Sequence, residues 1–391
     1  MKHFGYSFGV EEEFFLASAS SGALVTRVPE RLLEQARAHV GEIVTSELLQ
    51  SQIEIASPVL HHCDEAQEVM SRARQALAAV VESMSLHIIA AGTHPLGFWQ
   101  DQFVTEQPRY DELISDFRII GHRNLVCGLH VHVAIPLGVD RVDVMNRAMR
   151  WLPLFLALST SSPFWNCRAT GLLSYRQALY DEWPRSGIPD FFVDEADYQA
   201  FAARMQRAGA VRDSSQLWWA VRPAMRYPTL ELRIADTCTR LEDAIAIASL
   251  FRCLVATIVG EPALGRERST HTRRIIDENR WRAKRDGTGA VFIDEHSNEL
   301  APVREVLRSL VELAAEHIER LDCARSLQPL QRVLDEGTSA HVQLRLYNEG
   351  RAAGESRVQA LRRALDWLER TTRGEEPVAP VVGGTDCRSG A

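Results

Sequence analysis

Alternating apolar and polar positions predict a series of β-strands in the first two thirds of the chain. The clearest alternation lies in 127–135, where apolar residues occupy every second position. The run 86–91 is apolar except for His87 and ends at Gly92, which is typical of a buried strand. The other predicted strands lie within residues 6–16, 43–55 and 217–234.

A period of 3.6 residues predicts helices between and after these strands. Helix 64–85 is rich in alanine, and Asp64 is its predicted N-cap. Pro153 predicts a kink inside helix 139–158. Helix 241–259 is apolar on all sides, so we expect it to be buried. The remaining predicted helices cover residues 31–40, 266–284, 303–320 and 358–370.

No internal repeat or linker divides residues 1–370, so a single α+β domain is the economical interpretation. Residues 159–189 form a loop-rich stretch of about thirty residues, which is longer than most structural loops and suggests a function. Residues 371–391 contain mainly glycine, proline, serine and charged residues, and we expect this tail to be disordered.

Composition excludes several classes of function. The chain has 391 residues, of which 46% are apolar and 25% charged, as in ordinary soluble globular proteins. Its formal net charge of −8 argues against nucleic acid as a general partner. Every basic residue except Lys2 and Lys284 is an arginine, which excludes a P-loop and argues against a Schiff-base lysine.

The cysteines and the apolar runs indicate the compartment. Seven cysteines without a CxxC spacing argue against a disulfide framework or a zinc ribbon, and favour a reducing cytoplasm. No uninterrupted apolar run reaches 18 residues, so we expect no contact with a membrane. The glutamates near the N-terminus argue against a signal peptide.

Polar residues recur in pairs at a spacing of two on four predicted strands. Residues i and i+2 of a strand point to the same face, so each pair shares a face opposite its apolar neighbours. The pairs are Glu11 and Glu13, Gln52 and Glu54, His130 and His132, and Glu231 and Arg233.

Any one of these pairs is explained well enough by the solvated face of an antiparallel sheet. Together they are unusual, because glutamate and histidine bind divalent cations and arginine binds anions. The combination predicts a metal–nucleotide site on a concave sheet that lacks a P-loop. An amidohydrolase barrel and a cupin also use the HxH spacing. The position of this HxH and the many predicted helices argue against both.

Seven short motifs follow one another between residue 9 and about residue 290. They are GVEEEFFL (9–16), QIEIASP (52–58), AAGTHP (90–95), CGLHVHV (127–133), LALSTSSPFW (156–165), VRPAMRYPTLELRIAD (221–236) and NRWRAKRDG (279–287). In this order they resemble the type 2 glutamate–cysteine ligase family, also called carboxylate–amine ligases. The C-terminal helices resemble the family less distinctively.

The resemblance implies a glutamine-synthetase-like fold, in which an antiparallel β-sheet cradle flanked by helices holds ATP and Mg²⁺, with Mn²⁺ as an alternative ion. It implies that ATP phosphorylates a carboxylate, typically the γ-carboxylate of glutamate. An amine such as cysteine then displaces phosphate to form an amide. It also implies small-molecule substrates and a homodimer.

The resemblance also implies roles for individual residues. Four residues keep two interpretations: His94 as a site or turn residue, Arg176 as a substrate contact or loop ion pair, and Arg280 and Arg285 as phosphate contacts or surface residues. Cys167 and Arg168 depart from the family pattern, and a packed thiol is the favoured interpretation of Cys167. The implied metal ligands are Glu11, Glu13, His130 and Glu231; the implied catalytic residues are Arg233, Arg222 and Glu54; the implied nucleotide contacts are His132, Arg226 and Arg285.

Two other functions stay open on sequence alone. The same fold supports phosphoryl transfer to guanidino groups, whose product keeps the phosphate. A non-catalytic scaffold that binds nucleotide is the second alternative. The apparently complete set of glutamate, histidine and arginine residues argues against the scaffold, but neither the amine nor the acid follows from the sequence.

Overall fold

The computed structural model describes residues 5–295 and 297–375. Within these residues, seven strands form one antiparallel sheet in the order β2-β3-β1-β5-β9-β8, with β4 paired to the second half of β1. Strands β6 and β7 form one separate hairpin, and β10 and β11 form another. The strands are β1 (Phe8–Ser18), β2 (Val44–Ser46), β3 (Gln52–Ala56), β4 (Leu86–Ile89), β5 (Gly128–Ala134), β6 (Phe164–Trp165), β7 (Arg168–Ala169), β8 (Val221–Pro223), β9 (Thr229–Asp236), β10 (Val291–Ile293) and β11 (Leu300–Pro302).

Helices cover the sheet and extend beyond its edges. Short 3₁₀ turns occur at Trp99–Asp101, Met149–Trp151, Ser214–Gln216 and Gly287–Gly289. The α-helices are α1 (Leu32–Val40), α2 (Cys63–Glu82), α3 (Pro108–Phe117), α4 (Ile119–His122), α5 (Arg141–Ala148), α6 (Leu152–Ser159), α7 (Tyr175–Tyr180), α8 (Glu195–Arg207), α9 (Leu241–Gly260), α10 (Thr272–Asp286), α11 (Val303–Leu313), α12 (Ala315–Arg320), α13 (Pro329–Glu336), α14 (Ser339–Ala352) and α15 (Arg357–Thr372). The α+β prediction is confirmed by this arrangement.

Four helix predictions were wrong in detail. The predicted helix 303–320 is two helices, α11 and α12, and α10 begins at Thr272 and not at residue 266. Helix α2 starts one residue before Asp64, and its N-cap is His62, whose backbone N–H donates to Glu65 Oε2. The predicted helix 139–158 is two helices, α5 and α6, separated by a 3₁₀ turn. Pro153 therefore stands in the first turn of α6, where its missing N–H costs no hydrogen bond, and not at a kink.

One face of the sheet packs against helices α2 and α9. Alternate strand residues such as Val10, Val131 and Leu232 are fully buried there. Helix α9 is long and apolar enough to cross a membrane, but 89% of its most apolar window is buried inside the protein. The prediction of a buried helix at this position is confirmed.

Glu12 is a charged residue on this apolar face. Its carboxylate is completely buried and accepts two hydrogen bonds from Arg74 of α2, at 2.9 and 2.6 Å. Arg74 also donates to the backbone oxygens of Cys238 and Thr239, both at 2.9 Å. The pair therefore ties β1 to α2 and to the segment that follows β9.

The opposite face of the sheet is apolar near the far end of β1 and polar elsewhere. Phe15 lies in the apolar part, and His94 packs edge-on against it with ring centroids 5.8 Å apart. His94 is buried, and this burial lowers its pKa to about 3. Its surroundings favour the turn interpretation over the site interpretation.

The C-terminal helices complete this apolar part. Leu365 and Leu368 of α15 belong to the same cluster as Phe15. Helix α15 continues two residues past the predicted boundary at 370, and the Thr372 hydroxyl accepts a hydrogen bond from Ala90 N at 3.0 Å. The domain boundary at 370 stays a prediction, and residues 376–391 of the predicted tail lie outside the described residues.

We expect Arg74→Met to destabilise the protein by about 3–5 kcal/mol, because the substitution leaves the Glu12 carboxylate buried without its partner. Arg72→Met on the same helix is the matched control. The Arg72 side chain is 67% exposed and pairs with an exposed glutamate, so its loss should cost less than about 1 kcal/mol. Urea unfolding of both variants measures the difference, and equal stabilities would contradict the assigned role of the pair.

Candidate active site

The register of the sheet places the sequence-predicted polar residues on one face. Glu11 stands opposite His130 across the β1–β5 pair, and Glu13 stands opposite Glu54 across β1–β3. On the other side of β5, His132 stands opposite Glu231. Directly opposed residues have Cβ atoms about 5 Å apart, so these side chains reach one another.

Arg222 and Arg233 complete the polar face at the β8 edge. Arg222 stands opposite Glu231 across the β8–β9 pair. Arg233 lies two residues after Glu231 on β9, beside a bulge in its pairing with β5. The spacing-of-two prediction is therefore confirmed as to which residues share this face, while the chemical roles of these residues stay predictions.

Glu11 is the centre of a network with two histidines. Its Oε2 lies 3.1 Å from His130 Nδ1, and its Oε1 lies 3.2 Å from His132 Nε2. Burial alone would raise the pKa of Glu11, but the hydrogen bonds from both imidazoles hold that pKa well below its usual range. The Thr229 hydroxyl lies 3.0 Å from the other ring nitrogen of His132, which fixes the ring orientation.

Glu231 is shared by two arginines. Its carboxylate accepts hydrogen bonds from Arg222 Nε at 2.7 Å and Nη2 at 3.2 Å, and a short hydrogen bond from Arg233. Burial would raise the pKa of Glu231, but the charges of Arg233 and Arg222 lower it well below its usual range. Arg222 is held in addition by the carbonyl oxygens of Ser215 and Leu217, at 2.7 and 3.1 Å.

Three carboxylates gather at the other end of the polar face. Glu13, Glu47 and Glu54 bring ligand oxygens within 4.8 Å of one another. Burial and the neighbouring charge of Glu13 raise the pKa of Glu47 to about 7. Burial and the charges of Glu47 and Glu11 raise the pKa of Glu54 well above its usual value. Thr45 donates a hydrogen bond of 3.1 Å to Glu54.

Glu47 is the residue that the sequence analysis missed. It follows β2 directly, two positions after Thr45, and the spacing rule used for the other strands would have placed both on the polar face. Strand β2 has only three residues, which is too short for an alternation to stand out in the sequence.

The polar face offers three sets of ligand atoms suited to divalent cations. Besides Glu13–Glu47–Glu54, these are Glu11–Glu54–His130 and Glu11–His132–Glu231, each with ligand atoms within 4.8 Å. Carboxylate oxygens and imidazole nitrogens are the donors that Mg²⁺ and Mn²⁺ accept. Moreover, His130 Nε2 is buried and has no hydrogen-bond partner among the described residues. The residues therefore fit the expected metal ions.

The structure does not bring two predicted nucleotide contacts into this cluster. Arg226 lies in the turn between β8 and β9 and lines a cavity of about 630 Å³ together with Tyr227. The Tyr227 ring meets His132 edge-on, with centroids 6.3 Å apart, so this cavity adjoins the polar face. Arg285 is half exposed and hydrogen-bonds to Asp286 on its own helix, as expected for a surface residue.

Arg176 is completely buried beside the polar face. It lies 3.9 Å from Asp236 Oδ1 and 3.4 Å from the carbonyl oxygen of Arg233, and it stacks over Tyr180 at 4.7 Å. A Cβ at Gly128 would stand 2.2 Å from an Arg176 nitrogen, so glycine is required there. These contacts favour the loop ion-pair interpretation of Arg176 over a substrate contact.

Much of the 159–189 stretch packs against helices. Cys167 is buried in a small cluster with Leu361 and Ala364 of α15, which confirms the packed-thiol interpretation. Asp181 binds Arg280 at 2.8 Å and also Lys284, both on α10. Arg280 therefore holds this stretch in place, and a role of the stretch in shielding an intermediate from water stays a prediction.

Comparison with known proteins identifies the family. The model of glutamate–cysteine ligase family 2 matches residues 7–363. A protein of Ectopseudomonas mendocina named "Putative glutamate--cysteine ligase 2" is 43% identical over 366 residues, which cover 94% of this chain and 97% of that protein. A protein of the same name from Bradyrhizobium diazoefficiens is 42% identical over 88% of this chain and 80% of its own length.

Solved structures support the fold. A glutamate–cysteine ligase of Francisella tularensis in complex with AMP superposes with a TM-score of 0.64 at 12% identity, over 94% of this chain and 90% of that chain. A bifunctional glutathione synthetase of Pasteurella multocida gives 0.65 at 15% identity, over 94% of this chain and 52% of that chain. The predicted sheet cradle is thereby confirmed, and the chain belongs to glutamate–cysteine ligase family 2, whose members are ATP-dependent ligases.

Proposed function

We propose that this ligase activates the γ-carboxylate of a glutamate-like acid as an acyl phosphate, using ATP and Mg²⁺, and joins it to an amine. The observation that carries the proposal is the polar face of the sheet, where Glu11, His130, His132 and Glu231 lie beside two arginines. Cysteine, which appears in the family name, is the first amine to consider.

The carboxylates and histidines of this face would hold the divalent cations. Glu11, His132 and Glu231 would hold one beside the cavity that Tyr227 lines, which suits the phosphates of a nucleotide. Glu13, Glu47 and Glu54 would hold another at the opposite end. Bound divalent cations supply positive charge that neutralises the oxygens of the transferring phosphoryl group.

The two arginines would stabilise the same charge as the phosphoryl group moves. Arg233 Nε is buried and has no hydrogen-bond partner among the described residues, so one donor remains available for an anion. Arg222 is held by two backbone oxygens in addition to Glu231, so its position does not depend on the carboxylate alone. Donors that are in position beforehand stabilise a transition state more than mobile ones.

The reaction would proceed in two displacements. A carboxylate oxygen of the acid attacks the γ-phosphorus of ATP, and the bond from that phosphorus to ADP breaks. The amine nitrogen then attacks the acyl carbon, phosphate leaves, and the amine loses a proton. The acyl phosphate must be kept from water between these steps. The contacts of Arg176 with Asp236 and of Asp181 with Lys284 would hold the neighbouring 159–189 stretch over this side of the site.

Family membership supports amide formation over the two alternatives. A guanidino kinase on this fold would keep the phosphate on its product, and a scaffold would bind nucleotide without turnover. The near-complete match to the family model supports the ligase, since it covers all the strands of the polar face. Cysteine and glutamate as the actual substrates belong to the proposal.

We expect the purified protein to release ADP from MgATP only when glutamate and an amine are both present. A panel of amines that includes cysteine, with a glutamate-only control, identifies the acceptor, and mass spectrometry of the product shows an amide beside free phosphate. A product that retains phosphate would contradict the ligase proposal and indicate a kinase. ATP binding without ADP release across a broad panel of acids and amines would favour the scaffold.

We expect Glu231→Gln to lower ADP release at least about 100-fold, because the substitution removes a metal ligand and the charge that positions both arginines. The amide oxygen can still accept hydrogen bonds from Arg222, so the circular dichroism spectrum should match that of the parent protein. Glu305→Gln on the exposed surface of α11 is the matched control. Parent-like ADP release by the Glu231 variant would refute the site assignment.

We expect Glu47→Gln to weaken Mn²⁺ binding about tenfold or more, because the substitution removes one of the three carboxylates that would hold the ion. Burial and the charge of Glu13 raise the pKa of Glu47 to about 7, and a bound cation would favour its ionised form. Titration calorimetry with Mn²⁺ measures this in the absence of nucleotide. The matched control is Glu42→Gln, a carboxylate five residues earlier whose side chain is 88% exposed. Equal Mn²⁺ affinities in the two variants would remove Glu47 from the metal site.

A further inference from the structure

A pair of thiols lies behind the sheet, on the side away from the polar face. Cys63 Sγ and Cys323 Sγ are 3.1 Å apart, although 260 residues separate them in sequence. Cys63 is the first residue of α2, and Cys323 follows α12. Both are buried, at 3% and 0% exposure, and the two are free thiols. The sulfur atoms need to approach by only about 1 Å to reach the S–S bond length of about 2.05 Å.

Two neighbours of Cys63 oppose part of the effect of its burial. Its sulfur accepts a hydrogen bond from the Ser249 hydroxyl at 3.2 Å and lies 3.9 Å from Arg252 Nη1. It also stands at the positive end of α2, a helix of 20 residues. A guanidinium and a helix N-terminus both favour a thiolate, but here the contact with Cys323 and burial outweigh them and raise the pKa of Cys63.

Cys63 also lines a cavity through which a small molecule can reach the pair. The cavity has a volume of about 620 Å³, and its other walls include Asp64, Arg72, Glu242 and Arg325. The charged walls admit small polar molecules. Cys323 is wholly buried, so we expect the cavity to expose Cys63 first.

We propose that Cys63 and Cys323 are a redox-active pair that forms a reversible disulfide when a hydroperoxide enters this cavity. The Cys63 sulfur attacks one peroxide oxygen, the O–O bond breaks, and a sulfenic acid and one water form. The Cys323 sulfur then attacks the Cys63 sulfur, the S–O bond breaks, and a second water leaves. Two thiols have lost two hydrogens, and hydrogen peroxide has been reduced to two waters.

We expect the reaction of Cys63 with a hydroperoxide to be slow. The contact with Cys323 and burial raise the pKa of Cys63, so that a small fraction is thiolate at neutral pH. The disulfide would join the start of α2 to the segment after α12, and none of the polar-face residues belongs to either element. We therefore expect oxidation to stabilise the fold and to leave the polar face of the sheet unchanged.

Hydrogen peroxide treatment of the full-length chain tests the proposal. We expect the mass to fall by two hydrogens, dithiothreitol to reverse the change, and a non-reducing peptide map to show the Cys63 peptide joined to the Cys323 peptide. The oxidised protein should unfold at a higher urea concentration than the reduced protein, because the bond closes a loop of 260 residues.

Three variants separate the two thiols. Cys323→Ala should stop at a sulfenic acid on Cys63 that dimedone traps, whereas Cys63→Ala should give neither the adduct nor the disulfide. Cys238→Ala, which removes another buried thiol, should form the disulfide as the parent does. The proposal fails if the peptide map joins any other pair, such as Cys253 with Cys323. It also fails if the mass stays unchanged and the Cys323 variant forms no dimedone adduct.

Discussion

A shift of strand β1 by one residue would exchange its two faces, and the Glu12–Arg74 pair opposes that shift. Three consecutive glutamates leave the local sequence of β1 with little preference for one register, since either face would carry carboxylates. Arg74 removes the ambiguity, because it supplies a buried partner on one side of the sheet only. Glu11 and Glu13 must then face the other side. The site depends on an ion pair that takes no part in it.

The polar face has two ends of opposite electrostatic character. At the β8 edge, Glu231 faces two guanidinium groups and is held ionised. At the β2 edge, Glu47 and Glu54 face other carboxylates, and their pKa values are raised. Glu11 lies between these ends and binds both histidines. The β8 edge suits an anion that arrives with a bound cation. At the β2 edge, a bound cation would favour ionisation of the crowded carboxylates.

Spacing within a strand was sufficient to predict which residues share the polar face, because side chains alternate strictly along an extended backbone. It could not reveal contacts between distant segments. The Arg176–Asp236 pair, and the sulfur atoms of Cys63 and Cys323, come together through the fold and leave no periodic signal. Arg285 is half exposed on its helix and lies outside the polar face, and its role as a nucleotide contact stays a prediction. Residue roles came from the family resemblance and not from spacing.

In the proposed site, Glu231 would couple metal binding to the availability of the two arginines. One of its oxygens accepts hydrogen bonds from both Arg222 and Arg233, and the same carboxylate is the ligand it would offer to a cation. It cannot give these electron pairs fully to both, so a cation at Glu231 would loosen the guanidinium contacts. The N–H groups released in this way would join Arg233 Nε, which has no hydrogen-bond partner among the described residues, as donors for an anion. A phosphate would therefore meet its strongest donors after the cation is in place, which favours joint entry of nucleotide and metal.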